Sequence, residues 1–336
     1  MASSILVTGA SGFIGSYIVE EAVKRNFSTC AGIRPTSSKQ YLKDQNIHFL
    51  ELDFAHPNKL RAQLSGYKGT YNKFDYIVHC AGATKCTNKK DFDRINYVHT
   101  KYLAEALIEL NMVPKQFIFI STLSVFGPLH EKDFSPIKEE DVPSPNTHYG
   151  ISKLKAELYL QNLPDFPYVI FRPTGVYGPR EKDYYLMARS IKNGMDFSAG
   201  TKRQDLTFIY VADLVKAVFL GIEKGVSRRC YFLTDGNVYQ SSDFSRLIKK
   251  ELERNFVFHF KCPLFALKMI SLCAEFSSSL VKKSSTLNSD KYNIMKQRNW
   301  RCDITPTILE LGYKPEYDLE RGVKETIAWY KHEKWL

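Results

Sequence analysis

The chain has 336 residues, 44% hydrophobic and 25% charged, which is enough apolar material for one large globular domain or two closely joined ones. Its formal net charge of +11 is spread among acidic residues with no long Lys/Arg block, so it reads as a solvated basic surface rather than a nucleic-acid footprint. Seven cysteines, at 30, 80, 86, 230, 262, 273 and 302, hold no C-x-x-C pair and no His/Cys cluster at metal spacing, which excludes a disulfide framework and structural zinc.

The first apolar run, Ile5-Leu6-Val7, reads as a strand, and 13–25 follows with amphipathic helical spacing. Runs at 28–33, 46–50 and 74–79 read as strands two to four. Residues 92–110 form a helix whose apolar stripe includes Phe92, Ile95, Val98, Leu103 and Ala106. A buried strand at 117–120, a helix at 147–162 and a strand at 168–171 follow. The loop 127–146 holds four prolines and is expected to be irregular. Strands alternating with helices up to about residue 172 predict a parallel α/β sheet.

Beyond Arg172 the rhythm changes. Helices are expected at 211–223 and 242–254, with a strand at 230–233 returning to the sheet. The apolar stretch 264–281 is broken by Lys268 and Glu275 and followed by Lys282 and Lys283, too short and too charged to span a bilayer. The preferred reading is a core or substrate-cleft helix; the second is a lid touching a membrane surface. With no cleavable N-terminal signal pattern, a cytoplasmic location is expected. The domain expectation is a dinucleotide-binding domain over 1–174, rejoined by 205–235, and a smaller substrate-binding domain over 175–204 and 236–336.

The chemistry begins at Thr8-Gly-Ala-Ser-Gly-Phe-Ile-Gly15, between the first strand and the first helix. Glycines at 9, 12 and 15 permit a tight turn, and the N–H groups around Ser11, Phe13 and Ile14 would face a pyrophosphate at a positive helix end. A carboxylate that grips a ribose 2′-hydroxyl would fall near the end of strand two, where Arg34 stands, followed by Thr36, Ser37 and Ser38. A guanidinium beside hydroxyls suits a 2′-phosphate, so NADP is expected ahead of NAD. Asp53 and Phe54 after strand three, and Cys80, Ala81 and Gly82 after strand four, are expected to line the same cleft.

Tyr149 and Lys153 stand at i and i+4 on one helix, where an ammonium can lower the pKa of a phenol for acid–base work. Tyr97/Lys101, Tyr292/Lys296 and Tyr330/Lys334 share the spacing. Only Tyr149 follows a strand ending in hydroxyl residues, Ile120-Ser121-Thr122, at a distance that folds back beside it.

These pieces, with His79-Cys-Ala-Gly82, Ser121-Thr-Leu-Ser-Val-Phe-Gly127 and Arg172-Pro-Thr-Gly-Val-Tyr-Gly178, occur in the order of the extended short-chain dehydrogenases/reductases, the NAD-dependent epimerase/dehydratase family, which the chain resembles over most of its length. The resemblance implies a Rossmann-type doubly wound parallel sheet with a mostly helical C-terminal substrate domain. It also implies that Thr122 contacts the substrate oxygen, that Pro173 to Val176 line the nicotinamide, and that helices 92–110 and 147–162 pair in a homodimer.

Departures from the family bear on substrate. Leu123 and Ser124 replace the acidic pair of the 4,6-dehydratases, and Gln204 replaces an arginine that holds a nucleotide diphosphate, with Lys202 and Arg203 as neighbouring stand-ins. The segments 299–303, 311–315 and 322–330 resemble the 3β-hydroxysteroid dehydrogenase and dihydroflavonol reductase branch. The expected activity is therefore hydride transfer between a secondary alcohol and a ketone on a bulky small-molecule substrate. The alternatives are a nucleotide-sugar epimerase with retained NAD and a non-catalytic dinucleotide sensor.

Overall fold

The computed structural model describes residues 2–281 and 288–336. Lys282 and Lys283 lie outside the described residues. Eleven strands are described: β1 Ser4–Thr8, β2 Ser28–Ile33, β3 Ile47–Glu51, β4 Tyr76–His79, β5 Gln116–Ile120, β6 Tyr168–Pro173, β7 Gly175–Tyr177, β8 Met195–Ala199, β9 Phe208–Tyr210, β10 Arg229–Leu233 and β11 Phe258–Cys262.

One seven-stranded sheet runs β10-β6-β5-β4-β1-β2-β3, parallel from β3 through to β6. The chain first winds outward from β1 to β3, then returns and winds the other way from β4. The order therefore reverses between β1 and β4, and that crevice is where open α/β sheets place ligands. The Rossmann-type expectation holds.

The chain divides into two compact units. The first comprises 1–122, 151–172 and 215–231; the second comprises 123–150, 173–214 and 232–336. The return to the sheet is thus narrower than 205–235, and the proline-rich loop joins the second unit, which is the longer of the two rather than the smaller.

The first unit is held by the apolar faces of buried strands and the helices on them. Leu6, Ile77, Phe117, Phe119 and Ile170 from the sheet pack with Leu103, Leu107, Leu60 and Leu160 from the helices. Such all-apolar runs are what a sheet covered on both faces requires. The second unit has its own core around Tyr177, Phe208, Phe244, Leu319, Val323 and Tyr330. It contains two two-stranded parallel sheets, β7 with β9 and β8 with β11.

Two expectations need correction. The helix over 92–110 runs without a break but is not uniformly α: Lys90–Phe92 is followed by a π-helical turn, Asp93–Val98, and then by His99–Glu109. The wider turn rotates the inward stripe, so Asn96 and Thr100 are buried while Ile95 and Val98 are half-buried. For the helix Leu264–Val281, expected in the core or at a substrate cleft, the core alternative fails. Leu267 and Ser271 are buried, whereas Phe265, Met269, Ile270 and Leu272 are exposed. Among the described residues no helix is long and apolar enough to cross a membrane.

Candidate active site

β1 delivers the chain into the glycine turn at the reversal point of the sheet. Gly9 adopts φ +65°, and a Cβ there would lie 2.7 Å from the Ala81 backbone nitrogen, so only glycine fits. The Gly12 N–H donates to the Gly9 carbonyl at 2.9 Å and closes the turn. A Cβ on Gly15 would collide with the Gly9 carbonyl oxygen. The helix Phe13–Lys24 then starts with Gly12 as its N-cap, which supplies no side-chain cap, and has no acidic residue in its first turn. Uncapped donors at a positive helix end are suited to an anion such as a pyrophosphate.

Beneath the turn is a buried polar chain. Thr100 Oγ1 donates to the Asn96 carbonyl at 2.8 Å, so it accepts from His79 Nε2 at 3.0 Å. His79 is therefore assigned as the Nε2–H tautomer, and its Nδ1 accepts from Thr8 Oγ1 at 2.7 Å. Thr8 Oγ1 in turn accepts the Ala81 N–H at 3.3 Å. This chain fixes the end of β1 against the end of β4.

Burial, reinforced by the charges of Lys153 and His99, pushes the His79 pKa down from 6.5 to about 3. The unfolded chain binds a proton on this residue below pH 6.5 that the folded chain refuses until about 3. Stability is therefore expected to fall as pH drops through that window. Melting temperatures across it should fall more steeply for the wild type than for His79→Asn; parallel curves would show that His79 is not the source.

Asn96 is the second organiser. Its Oδ1 accepts the Ala83 N–H at 2.7 Å, and its Nδ2 donates to the Ala83 carbonyl at 3.0 Å and to Ser152 Oγ at 2.9 Å. One side chain thus ties the segment after β4 to the helix His148–Asn162. A Cβ on Gly82 would lie 3.0 Å from Asn96 Oδ1, which explains the glycine there. Cys80 carries no reactive thiolate, because burial pushes its thiol up to about 12.

Lys153, 4% exposed, lies on the same helix as Ser152. Its Nζ donates to the Ile120 carbonyl at 2.6 Å and sits 3.8 Å from the Phe119 ring centroid. Burial pulls its pKa down to about 7, against the opposing pull of Glu157 one turn further on. Glu157 is itself buried and accepts two bonds from Arg172, at 3.0 and 2.7 Å. The lysine is thus aimed at the carboxyl end of β5, two residues before Thr122.

Tyr149 opens the same helix, one turn before Lys153, and belongs to the second unit. Its N–H donates to Asp290 Oδ2 at 3.1 Å, and Thr147 Oγ1 accepts the Gly150 N–H at 2.9 Å. Two of the three competing pairs have a member otherwise engaged. Tyr330 donates its hydroxyl to the Glu181 carbonyl at 2.6 Å, and Lys101 faces Glu105 at 3.7 Å.

Arg34 is exposed at the end of β2 and makes no ion pair among the described residues, while its backbone N–H donates to Ser37 Oγ at 3.0 Å. Asp53 follows β3 with its carboxylate held by His56, Lys59 and the Ala55 N–H, and the His56 and Lys59 contacts keep it below the usual carboxylate range. Phe54 stacks on His99 at 6.2 Å. Pro173 ends β6, and Val176 lies on β7 opposite Ile209 in the second unit.

The positions that bear on substrate are equally engaged. Gln204 is buried, and its amide donates to the Met295 and Gln297 carbonyls at 2.7 and 2.9 Å. Arg203 makes a two-pronged pair with Asp205, both contacts at 2.7 Å. Leu123 is buried in a short 3-10 turn. Asn96, Thr100 and Ser152 were absent from the sequence-based site. Their one visible signal is a pair of polar residues four apart, Asn96 and Thr100, on a helix otherwise read for its apolar stripe.

The model of the NAD dependent epimerase/dehydratase family matches residues 5–233. An uncharacterized UDP-glucose epimerase of Bacillus subtilis is 31% identical, with 97% of each chain covered. The decarboxylating sterol-4-alpha-carboxylate 3-dehydrogenase of Candida albicans is 23% identical, again with 97% of each covered. A crystal structure of Thermotoga maritima UDP-glucose 4-epimerase with UDP-glucose superposes with a TM-score of 0.78 at 22% identity, covering 98% of this chain and 99% of that one.

Proposed function

Given that the chain belongs to the NAD-dependent epimerase/dehydratase family, enzymes of the extended short-chain dehydrogenase/reductase type, we propose that it interconverts a secondary alcohol and a ketone on a bulky, largely apolar substrate. The observation that carries the reading is Lys153, buried and bonded to the carbonyl at the end of β5, one helical turn from Tyr149.

Tyr149 exchanges the proton on the substrate oxygen, and Thr122 orients that oxygen by hydrogen bonding. Lys153 lowers the phenol's pKa. An ammonium that is costly when buried alone is offset once a phenolate forms beside it. The dinucleotide, when bound, supplies or accepts the hydride. Gly9, Ser11, Gly12, Phe13, Ile14 and Gly15 would hold its pyrophosphate. Asp53 and Phe54 would flank the adenine, Cys80, Ala81 and Gly82 would allow close approach, and Pro173 and Val176 would line the nicotinamide.

Two features support the substrate class. The Gln204 amide is committed to two backbone carbonyls, so it offers nothing to a nucleotide diphosphate. Leu123 and Ser124 offer no carboxylic acid or carboxylate for eliminating water. The second reading, a nucleotide-sugar epimerase with retained cofactor, is favoured by the 31% identical relative. Assays of apolar ketones and of UDP-sugars, followed by cofactor absorbance, separate the two. Net consumption of reduced cofactor with a ketone supports the first reading; epimer formation from a UDP-sugar without net redox change overturns it.

Arg34 and the Ser37 hydroxyl favour NADP. A charge-assisted contact to a 2′-phosphate contributes on the order of 1.5–3 kcal/mol, so KM for NADPH is expected to lie at least about tenfold below that for NADH. Arg34→Ala should erase the preference. A wild-type preference for NADH would refute the assignment.

A further inference from the structure

Tyr149 is held from a distant part of the chain. The helix Ser289–Lys296 and the residue after it place Asp290, Asn293 and Gln297 at i, i+3 and i+7, along one helix face. Asp290 Oδ2 accepts the Tyr149 N–H at 3.1 Å, and Asn293 Nδ2 donates to the Asn146 carbonyl at 2.9 Å. Gln297 Nε2 donates to the Gly127 carbonyl at 3.0 Å. One face of a C-terminal helix therefore grips both ends of the loop 127–146 and the tyrosine just beyond it. All six residues lie in the second unit.

Starting the helix His148–Asn162 does not require this grip. Thr147 Oγ1 already accepts the Gly150 N–H, which is the local cap that such a helix start needs. The N–H of the tyrosine itself is satisfied instead by a carboxylate 141 positions later in the chain. Asp290 is 8% exposed and stands in the first turn of its own helix, which Asn288 caps by accepting the Lys291 N–H at 2.9 Å. One buried carboxylate thus serves two helix N-termini, each with unsatisfied N–H groups and partial positive charge. Such an arrangement fixes the entry of one helix relative to the other. The fit is tight, since a Cβ on Gly150 would lie 2.5 Å from the Ser124 carbonyl oxygen.

We propose that Asp290, supported by Asn293, is a positioning residue for Tyr149. It acts through the tyrosine's backbone, not on the substrate, and holds the phenol in the single orientation that proton exchange requires. The inference rests on the proposed role of Tyr149 as the proton-exchanging group.

The test is NMR of the full chain labelled with 13Cζ-tyrosine. Tyr149 and Tyr330 are assigned by the signals that Tyr149→Phe and Tyr330→Phe remove. The wild type is expected to show one sharp Tyr149 signal that titrates below the ordinary phenol value of about 10. Asp290→Ala should split or broaden that signal and raise its midpoint by about one pH unit or more, as the phenol leaves the Lys153 ammonium. The sign is diagnostic, because removing the carboxylate's charge without moving the phenol would lower the midpoint. Asp290→Asn loses the charge but keeps an acceptor oxygen, so it should restore the single signal and a midpoint no higher than that of the wild type. The Tyr330 signal should stay unchanged throughout. Asn293→Ala should reproduce the Asp290→Ala change in weaker form, and it decides the matter if Asp290→Ala does not fold. The proposal is overturned if Asp290→Ala keeps the wild-type Tyr149 signal, if Asp290→Asn fails to rescue it, or if Tyr330 changes equally. A wild-type midpoint at about 10 would instead remove Tyr149 from the proposed mechanism, while the Asp290→Ala signal still decides whether the tyrosine is positioned from residue 290.

Discussion

Tyr149→Phe is expected to lower kcat by about a hundred- to ten-thousand-fold while leaving cofactor affinity nearly unchanged, because it removes one proton-transferring hydroxyl and no contact of the glycine turn. The backbone bond from Tyr149 N–H to Asp290 Oδ2 survives the substitution, so the start of the helix should hold. Tyr330→Phe is the matching control. Its hydroxyl donates to the Glu181 carbonyl in the second unit's core, so it should cost about 1 kcal/mol of stability and leave kcat alone. Steady-state rates and cofactor titration on both variants check this. Near-normal turnover in Tyr149→Phe would remove the tyrosine from the mechanism.

Gly15→Ala is expected to raise the cofactor Kd by at least about tenfold and to destabilise the fold by about 1–3 kcal/mol, since the new methyl must displace backbone. Its Cβ would meet the Gly9 carbonyl oxygen, which holds the turn through Gly12 N–H and cannot retreat without opening it. Gly66→Ala tests the specificity of this effect. Gly66 lies in the helix Pro57–Tyr71 with no atom within 4 Å of its would-be Cβ, so the substitution should be neutral or stabilising by about 0.5–1 kcal/mol. Isothermal titration with the cofactor and thermal unfolding read both effects. Wild-type cofactor affinity in Gly15→Ala would mean that the turn is not the cradle.

Much of the sheet was legible because its information is local. β2 and the helix Val211–Glu223 appear with the predicted bounds, and the other sheet strands shift by a residue or two at their ends. Apart from the edge strand β3, where Ile47 alone is buried, each strand is a largely buried run whose neighbours change character at the boundary. The helix over 92–110 was read correctly, but its inward stripe was misplaced at Ile95 and Val98 for a reason of the same kind. Apolar spacing assumes a uniform 3.6-residue turn, and the π-helical segment breaks that assumption where Asn96 must face inward. The stretch 264–281 was read correctly as helical, and of its core and substrate-cleft alternatives the core one fails, because periodicity reports an apolar face and not what lies against it.

What the sequence by itself determined is the set of groups that local chemistry requires: a glycine turn between strand and helix, a tyrosine one turn before a lysine, and a basic residue where an acidic one would be expected. Tertiary structure alone decided which of these groups are engaged and how. It put Lys153 against the end of β5, gave His79 its tautomer through Thr8 and Thr100, and committed Gln204 to two carbonyls. The physical reason is that burial and hydrogen-bond partners come from residues distant in sequence. Lys153 meets a carbonyl 33 positions earlier, and His79 meets a hydroxyl 71 positions earlier. Spacing along the chain carries no record of either.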